Sequence, residues 1–103
     1  MAFFNCLLID LPEGTEQYGE DIELFVDLML EKLHKHRNKG HWENVNINDM
    51  WLRLVEEVDE LSEAMGEGDS TEIHREAADV ANFAMIISSV IRRREQDNDD
   101  NQD

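Results

Sequence analysis

The chain has 103 residues, of which 25 are acidic and nine are Lys or Arg, giving a formal net charge of −16. A chain of this length forms one domain, and one this acidic does not bind nucleic acid through its phosphates. Its single cysteine, Cys6, excludes an internal disulfide and favours a cytoplasmic location, and no apolar stretch is long enough to span a membrane.

The first stretch of the chain, residues 1–15, is predicted to form an N-terminal arm. Its apolar start lacks the basic region and the cleavage site of a signal peptide, and Pro12 marks its end. Apolar residues at helical spacing then predict a first helix from about Glu20 to His36. The polar stretch around Gly40 is expected to stop this helix.

A second helix is predicted to run to about Met65 from Asn46 or Asn48, either of which can cap its N-terminus. Gly66 can end this helix in the left-handed conformation. The sequence Gly-Glu-Gly-Asp at residues 66–69 is the strongest turn signal in the chain. The helices on either side of this turn are therefore predicted to pack as an antiparallel hairpin.

A third helix is predicted to begin after Asp69, which together with Glu72 resembles a capping box, and to run to about Arg94. Residues 95–103 contain five acids and no apolar side chain, so they are predicted to be a disordered tail. Without those five charges the body of the protein keeps a net charge of −11. The helical domain is expected to span residues 18–94.

The predicted elements define an all-α fold with three main helices, since no strand alternation or internal repeat follows the arm. Three helices in so short a domain make a thin core. The first and third helices are apolar around more of their circumference than a monomer can cover. We therefore expect a homodimer or homotetramer, in which another subunit completes a four-helix bundle.

Two pairs of acids with the same spacing flank the predicted turn: Glu57 with Glu60, and Glu76 with Asp79. A spacing of three residues puts both members of a pair on one helix face. The pairs are also symmetric about Gly68, so an antiparallel hairpin would bring all four together. Clustered carboxylates repel one another unless protons or a cation neutralise them, and the pattern therefore predicts a site for a divalent metal.

The sidedness of the two helices supports a metal site. Glu57 and Glu76 fall inside the apolar stripes of their helices, where an unpaired carboxylate is costly. Glu60 lies at the edge of its stripe. Three other acids of the second helix fall on its polar side and are expected to face solvent: Glu56, Asp59 and Glu63.

A basic segment precedes Trp42, with four of the nine Lys and Arg residues at positions 32–39. Such a segment can supply cationic donors to a triphosphate, and an aromatic ring can hold a base. Cations at the C-terminus of a helix are also explained by the helix dipole, which accounts for Lys32 and Arg37 better than for Lys39. Trp42 can likewise fill a gap between the first two helices, so both interpretations stay open.

Together these features resemble the MazG family of all-α nucleoside triphosphate pyrophosphohydrolases, which carries an ExxE…ExxD pattern on two antiparallel helices. Here the pattern reads EEVDEL at residues 56–61 and EAADVANF at residues 76–83. The segment KGHW at residues 39–42 also resembles small MazG-like proteins of bacteria and phages. The similarity covers about residues 20–92.

The resemblance implies a Mg²⁺-dependent enzyme, with Mn²⁺ as a possible substitute, that hydrolyses an NTP or dNTP to the monophosphate and pyrophosphate. Carried over by position, it implies that the metal ligands and catalytic residues are Glu57, Glu60, Glu76 and Asp79. It also implies that the substrate is contacted by Lys39, Asn82 and, near the base, Trp42. Mg²⁺ prefers oxygen ligands and bridges carboxylates to phosphates, so the acidic cluster suits this chemistry independently.

Two other classes of protein compete with this interpretation. A di-iron helical bundle needs Glu-x-x-His on two helices, but this chain carries it once, from Glu31 to His34, outside the acidic hairpin. A non-catalytic metal-binding module for oligomerisation or regulation stays open as the alternative. Release of pyrophosphate from a nucleotide would distinguish the enzyme from both classes.

Overall fold

A computed structural model describes residues 9–37, 42 and 44–100 of the chain. These residues form three α-helices, numbered α1 (Gly19–Lys35), α2 (Ile47–Glu67) and α3 (Ser70–Asp100), with a 3-10 turn at Glu16–Tyr18 before α1. No strand occurs in the described part, so the predicted all-α class with three main helices is confirmed. None of these helices combines the length and apolarity that a membrane crossing requires. Residues 1–8 of the predicted arm and the predicted stop at Gly40 lie outside the description.

An asparagine cap sets the start of α2. The side chain of Asn46 accepts hydrogen bonds from the backbone N–H groups of Asn48 (2.8 Å) and Asp49 (3.4 Å). These bonds satisfy two donors that have no partner within the helix. Of the two caps that the sequence allowed, Asn46 is therefore the one used.

The turn between α2 and α3 is shorter than the sequence predicts. Gly68 adopts the left-handed conformation (φ 73°), and its N–H donates to the carbonyl of Ala64. The prediction that Gly66 ends the helix is wrong, since Gly66 stays helical. The turn forms instead at Gly68. The carboxylate of Asp69 accepts a hydrogen bond from the N–H of Glu72 (3.3 Å) and caps the N-terminus of α3, as predicted.

α3 continues to Asp100, beyond the predicted end at Arg94. Residues 95–100 of the predicted tail are therefore helical, whereas residues 101–103 lie outside the description. Extending an existing helix adds one backbone hydrogen bond for each residue that is ordered. Arginines at residues 92–94 lie one turn before the acids of this segment, where opposite charges stabilise a helix.

α3 is the central helix of the fold. It packs against α1 and α2, whereas no Cα atom of α1 comes within 8 Å of one in α2. Asn82 bonds to Met29, and Asp79 to Lys32. Because three residues forward on α1 correspond to three residues back on α3, these two helices are antiparallel. α1 and α2 therefore both run against α3 and leave a gap between them.

The apolar core of the described chain is small. Its buried apolar residues are Ala64, Ala78 and Val90, and no large side chain in the described ranges is fully buried. The sequence predicts surplus apolar surface on the first and third helices. In the structure α1 exposes three large apolar side chains and α3 exposes one, whereas α2 exposes five, because α3 is covered from two sides and α2 from one. The exposed large apolar side chains of α2 are Trp51, Leu52, Val55, Val58 and Met65. Assembly with a second subunit, which could cover them, stays a prediction.

Candidate functional site

Three of the four predicted metal ligands converge in the α2–α3 hairpin. One carboxylate oxygen from each of Glu57, Glu76 and Asp79 lies within 4.8 Å of the other two. The short turn at Gly68 sets the register that brings Glu57 to the face of α3 shared by the other two acids. The predicted proximity of these three acids is thus observed, and their role as ligands stays a prediction.

Glu60 lies beside this group rather than within it. Its side chain is exposed, in keeping with its position at the edge of the apolar stripe. Its charge nevertheless raises the pKa of both Glu57 and Glu76, so it lies near both. The acids predicted to face solvent are exposed: Glu56, Asp59 and Glu63.

Burial and mutual repulsion raise the pKa values of two acids in the cluster. Burial raises the pKa of Glu57 to about 7, and repulsion from Glu60, Asp79 and Glu76 acts in the same direction. Burial likewise raises the pKa of Glu76, with further contributions from Glu60 and Asp79. Near pH 7 the carboxyl group of Glu57 is therefore only partly ionised, and a bound cation would favour ionisation of the whole cluster.

Two carboxylate oxygens in the cluster remain available for a ligand. Oε2 of Glu57 and Oε2 of Glu76 are buried and accept no hydrogen bond from any described residue. Arg53 and Arg75, the arginines nearest in sequence, pair instead with acids one turn away on their own helices. Buried oxygen donors without a compensating cation fit a hard divalent ion such as Mg²⁺, which Glu57, Glu76 and Asp79 could hold.

Lys32, on α1, places a positive charge beside the acidic cluster. From the sequence, this residue was better explained as a cation at the solvated end of a helix. Its Nζ lies 3.1 Å from Oδ2 of Asp79, and both side chains are 18% exposed. The sequence does contain a signal for this position. Lys32 follows Met29 by three residues, so it projects from the inward face of α1 rather than from its polar face.

Asn82 lies one helical turn beyond Asp79 and is buried against α1. Its Nδ2 donates to the backbone carbonyl of Met29 (3.1 Å), which fixes the orientation of the amide. Its Oδ1 is buried and accepts no hydrogen bond from the described chain. Two polar links, at Asn82 and at Asp79, therefore hold α1 to α3 beside the acidic cluster.

The gap between α1 and α2 is a cavity of about 500 Å³, lined by residues of all three helices. Polar and charged side chains line one part of it, namely Glu57, Asp79, Lys32 and Asn82. This volume is within the range of small-molecule sites. A ligand in the cavity would therefore contact the acidic cluster directly.

Another part of the cavity wall is apolar and aromatic. Trp42, Met50, Phe83 and Ile86 line it, and the indole Nε1 of Trp42 donates to Oγ of Ser89 (3.1 Å). The guanidinium of Arg53 lies 5.2 Å from the centre of the Phe83 ring, within the distance of a cation–π contact. The cavity can thus receive a molecule that is polar at one end and flat and apolar at the other.

A family comparison identifies this arrangement. The model of the phosphoribosyl-ATP pyrophosphohydrolase family matches residues 24–90, which is more than half of the chain. The chain belongs to this family. No curated protein and no solved structure matches it significantly. Family membership makes the chain a member of the MazG-like all-α pyrophosphohydrolase superfamily, so the sequence resemblance was right at that level, while the MazG family itself is not established.

Membership in the phosphoribosyl-ATP pyrophosphohydrolase family indicates a pyrophosphohydrolase activity on a nucleotide. The matched range contains all of α2, the acidic cluster and the cavity-lining part of α3. Enzymes of this kind typically use a divalent metal, and Glu57, Glu76 and Asp79 supply oxygen donors for one. The site and the family therefore point to the same chemistry.

The predicted substrate contacts divide into two cases. Trp42 and Asn82 both line the cavity, whereas Lys39 lies outside the described residues. Met50 and Phe83 also line the cavity, although neither was predicted to do so. Their spacing carried the signal, since Met50 precedes Glu57 by two helical turns on the same face, and Phe83 follows Glu76 in the same way.

Proposed function

We propose that the protein is a Mg²⁺-dependent pyrophosphohydrolase that converts an NTP or dNTP to the monophosphate and pyrophosphate. The observation that carries this proposal is the convergence of Glu57, Glu76 and Asp79, with two buried unbonded oxygens, at the polar part of an aromatic-lined cavity. Family membership supports the reaction type. The geometry supports a metal and a nucleotide as its participants.

Glu57, Glu76 and Asp79 would hold Mg²⁺ or Mn²⁺, and Glu60 is near enough to add a fourth carboxylate. When bound, such an ion shields phosphate oxygens and lowers the pKa of the water it binds. The carboxylates also repel phosphates that arrive without a cation. The site therefore favours a metal-bound polyphosphate over a free one.

The shape of the cavity orients the nucleotide. Its phosphates would lie toward the acidic cluster, and its base would lie against Trp42 and Phe83, where aromatic rings provide a stacking surface. Binding energy gained along this wall would hold the scissile linkage near the metal. Asn82, with a fixed amide, would contact the part of the nucleotide between these two regions.

The identity of the nucleotide is tested by a pyrophosphate assay with Mg²⁺ over all NTPs and dNTPs. Phosphoribosyl-ATP belongs in the same panel, because the family is described by that substrate. We expect at least one triphosphate to release stoichiometric pyrophosphate, and chelator to abolish the release. Preference for phosphoribosyl-ATP alone would replace the proposed substrate class while keeping the reaction.

The non-catalytic alternative makes a different prediction in this assay. A metal-binding oligomerisation or regulatory module would bind Mn²⁺ but release no pyrophosphate from any nucleotide. Glu76→Gln, which removes a proposed ligand, is the negative control, and Glu63→Gln, on the exposed face of α2, is the matched control. Equal background release by the wild type and Glu76→Gln would favour the module.

We also propose that the protein assembles as a homodimer or homotetramer. Four exposed apolar residues of α2 share one face through spacings of three, four and seven residues: Trp51, Val55, Val58 and Met65. A face of this kind on a small domain is commonly covered by another helix. A second copy of the chain could supply it and complete the bundle.

A further inference from the structure

Lys32 is the cation that contacts the acidic cluster in the described part of the chain. Its ammonium lies 3.1 Å from Asp79, and both side chains are largely buried. The neighbouring bond from Asn82 to Met29 anchors the same crossing of α1 and α3. Lys32 is therefore held at a defined position on the cavity wall.

The ammonium of Lys32 has hydrogen-bonding capacity beyond Asp79. A lysine has three N–H donors, and Asp79 is its bonded partner among the described residues. Since Lys32 lines the cavity, its remaining donors are available to a molecule bound there. The anionic end of a nucleotide is the part that would lie nearest to them.

Other cations near the cavity are engaged differently. Arg53 lies over the Phe83 ring and pairs with Glu56, which places it on the aromatic wall. Arg37 is exposed and donates to the carbonyl of His34 (2.8 Å). Lys32 therefore has the best position from which to counter the charge of a phosphate near the metal ligands.

We propose that Lys32 is a substrate-binding residue whose ammonium bonds a phosphate oxygen of the nucleotide while it lies beside Asp79. This inference rests on the proposed function. Four carboxylates and one divalent ion leave the site with a net negative charge, so a phosphate needs a further cationic donor. Lys32 supplies that donor from a helix that carries none of the proposed metal ligands.

The position of Lys32 makes two effects separable. As a phosphate ligand, it strengthens binding of a polyphosphate. As a cation beside Asp79, it repels a divalent ion at the same carboxylate. Loss of its charge should therefore weaken polyphosphate binding but leave Mn²⁺ affinity unchanged or increase it, whereas a purely structural role would weaken both.

The test compares full-length wild type with Lys32→Met, Lys32→Arg and Lys35→Met. Lys35 is the matched control, because it lies on the same helix but is exposed and does not line the cavity. Mn²⁺ binding is measured first, and then binding of inorganic tripolyphosphate, which carries the phosphate chain without a base, in saturating Mn²⁺. Circular dichroism melts verify that each variant is folded.

We expect Lys32→Met to weaken tripolyphosphate binding roughly 10- to 100-fold, the cost of a charge-assisted hydrogen bond. Lys32→Arg should retain part of the affinity, and Lys35→Met should match the wild type. Wild-type affinity in Lys32→Met, or a parallel loss of Mn²⁺ and tripolyphosphate binding, would overturn the role of Lys32. If wild type binds Mn²⁺ but not tripolyphosphate, this proposal fails and the metal site stands, whereas failure to bind Mn²⁺ would overturn the proposed function itself.

Discussion

At Glu57, burial and neighbouring charge act on one carboxyl group in the same direction. The side chain is only 9% exposed, and Glu60, Asp79 and Glu76 all disfavour its ionised form. The Lys32 ammonium lies nearby but pairs with Asp79. A group that ionises near neutral pH links the stability of the fold to pH and to metal binding.

This linkage predicts that the protein in chelator loses stability as the pH rises from 5 to 8. The pKa of Glu57 is raised from 4.5 to about 7 in the folded protein. Between these values the folded state therefore binds more protons than the unfolded state, and the stabilisation by this proton is lost as the pH passes 7. The loss should reach about 3 kcal/mol at most, measured by urea unfolding at several pH values.

Glu57→Gln provides the control for that pH dependence, because it is neutral at every pH and similar in shape. We expect a flatter profile between pH 5 and 8 and a variant more stable than wild type at pH 8 in chelator. Identical slopes for wild type and Glu57→Gln would show that Glu57 does not titrate in this range.

The acidic residues should also differ sharply in their effect on turnover. Glu57→Gln, Glu76→Gln and Asp79→Asn each remove a converging carboxylate and should lower pyrophosphate release by orders of magnitude. Glu60→Gln should also lower pyrophosphate release, because the charge of Glu60 acts on Glu57 and Glu76. Glu63→Gln, on the exposed face, should keep wild-type activity, and equal turnover by the Glu63 and Glu76 variants would exclude the proposed site.

Glu76 allows stability and activity to be separated. Its Oε2 is buried without a hydrogen bond, and no arginine of the hairpin pairs with it. Glu76→Gln should therefore melt above wild type in chelator, by on the order of 1–2 kcal/mol, while losing activity. Mg²⁺ should narrow or reverse the difference because it stabilises the folded wild type. A variant less stable than wild type in chelator would instead indicate a structural role for Glu76.

At the level of the helices, the turn that joins α2 and α3 sets which acids meet. Gly68 has a positive φ, whereas Gly66 is helical, and added Cβ atoms at these positions meet no other atom within 4 Å. Backbone conformation therefore decides the effect of a substitution at these glycines, with no steric contribution from neighbours.

The two glycines predict opposite effects of the same substitution. Gly68→Ala should destabilise the protein by about 1 kcal/mol, because an alanine is strained at positive φ. Gly66→Ala should stabilise it by up to about 1 kcal/mol, because alanine is the better helix former. Thermal melts of both variants measure these two effects. Destabilisation by Gly66→Ala would indicate that α2 ends at Gly66.

The last turns of α3 show that amino-acid composition alone does not locate the end of a helix. Residues 95–100 are polar and acidic, a composition typical of disordered tails. Preceding helix turns lower the cost of ordering each added residue, since nucleation is already complete. The helix end therefore depends on what precedes the segment and cannot be inferred from the segment alone.

At the level of the whole molecule, α2 packs against α3 alone among the described helices and leaves five large apolar side chains exposed. Light scattering should therefore give a mass of at least twice the 12.0 kDa of one chain. Val58→Lys, in the middle of the exposed apolar face, should shift the protein toward monomer. Asp59→Lys introduces the same residue at the neighbouring exposed position and should not. A folded wild-type monomer at micromolar concentration would refute the assembly.

Much of the site was predictable from the sequence because it depends on local periodicity. The spacing of Glu57, Glu76 and Asp79, together with a turn between them, was enough to predict that they approach one another. Helix caps at Asn46 and Asp69 were predictable for the same reason, since each bond spans only two or three residues.

The helical class, the hairpin and the acidic cluster could be predicted from the sequence alone, because all three follow from residues close together in the chain. The contacts of Lys32 with Asp79 and of Asn82 with Met29, and the cavity between α1 and α2, became evident from the three-dimensional structure. These features depend on how α1 crosses α3, a contact between segments about 50 residues apart. Such a crossing is selected by the packing of whole helix faces, which no local pattern specifies.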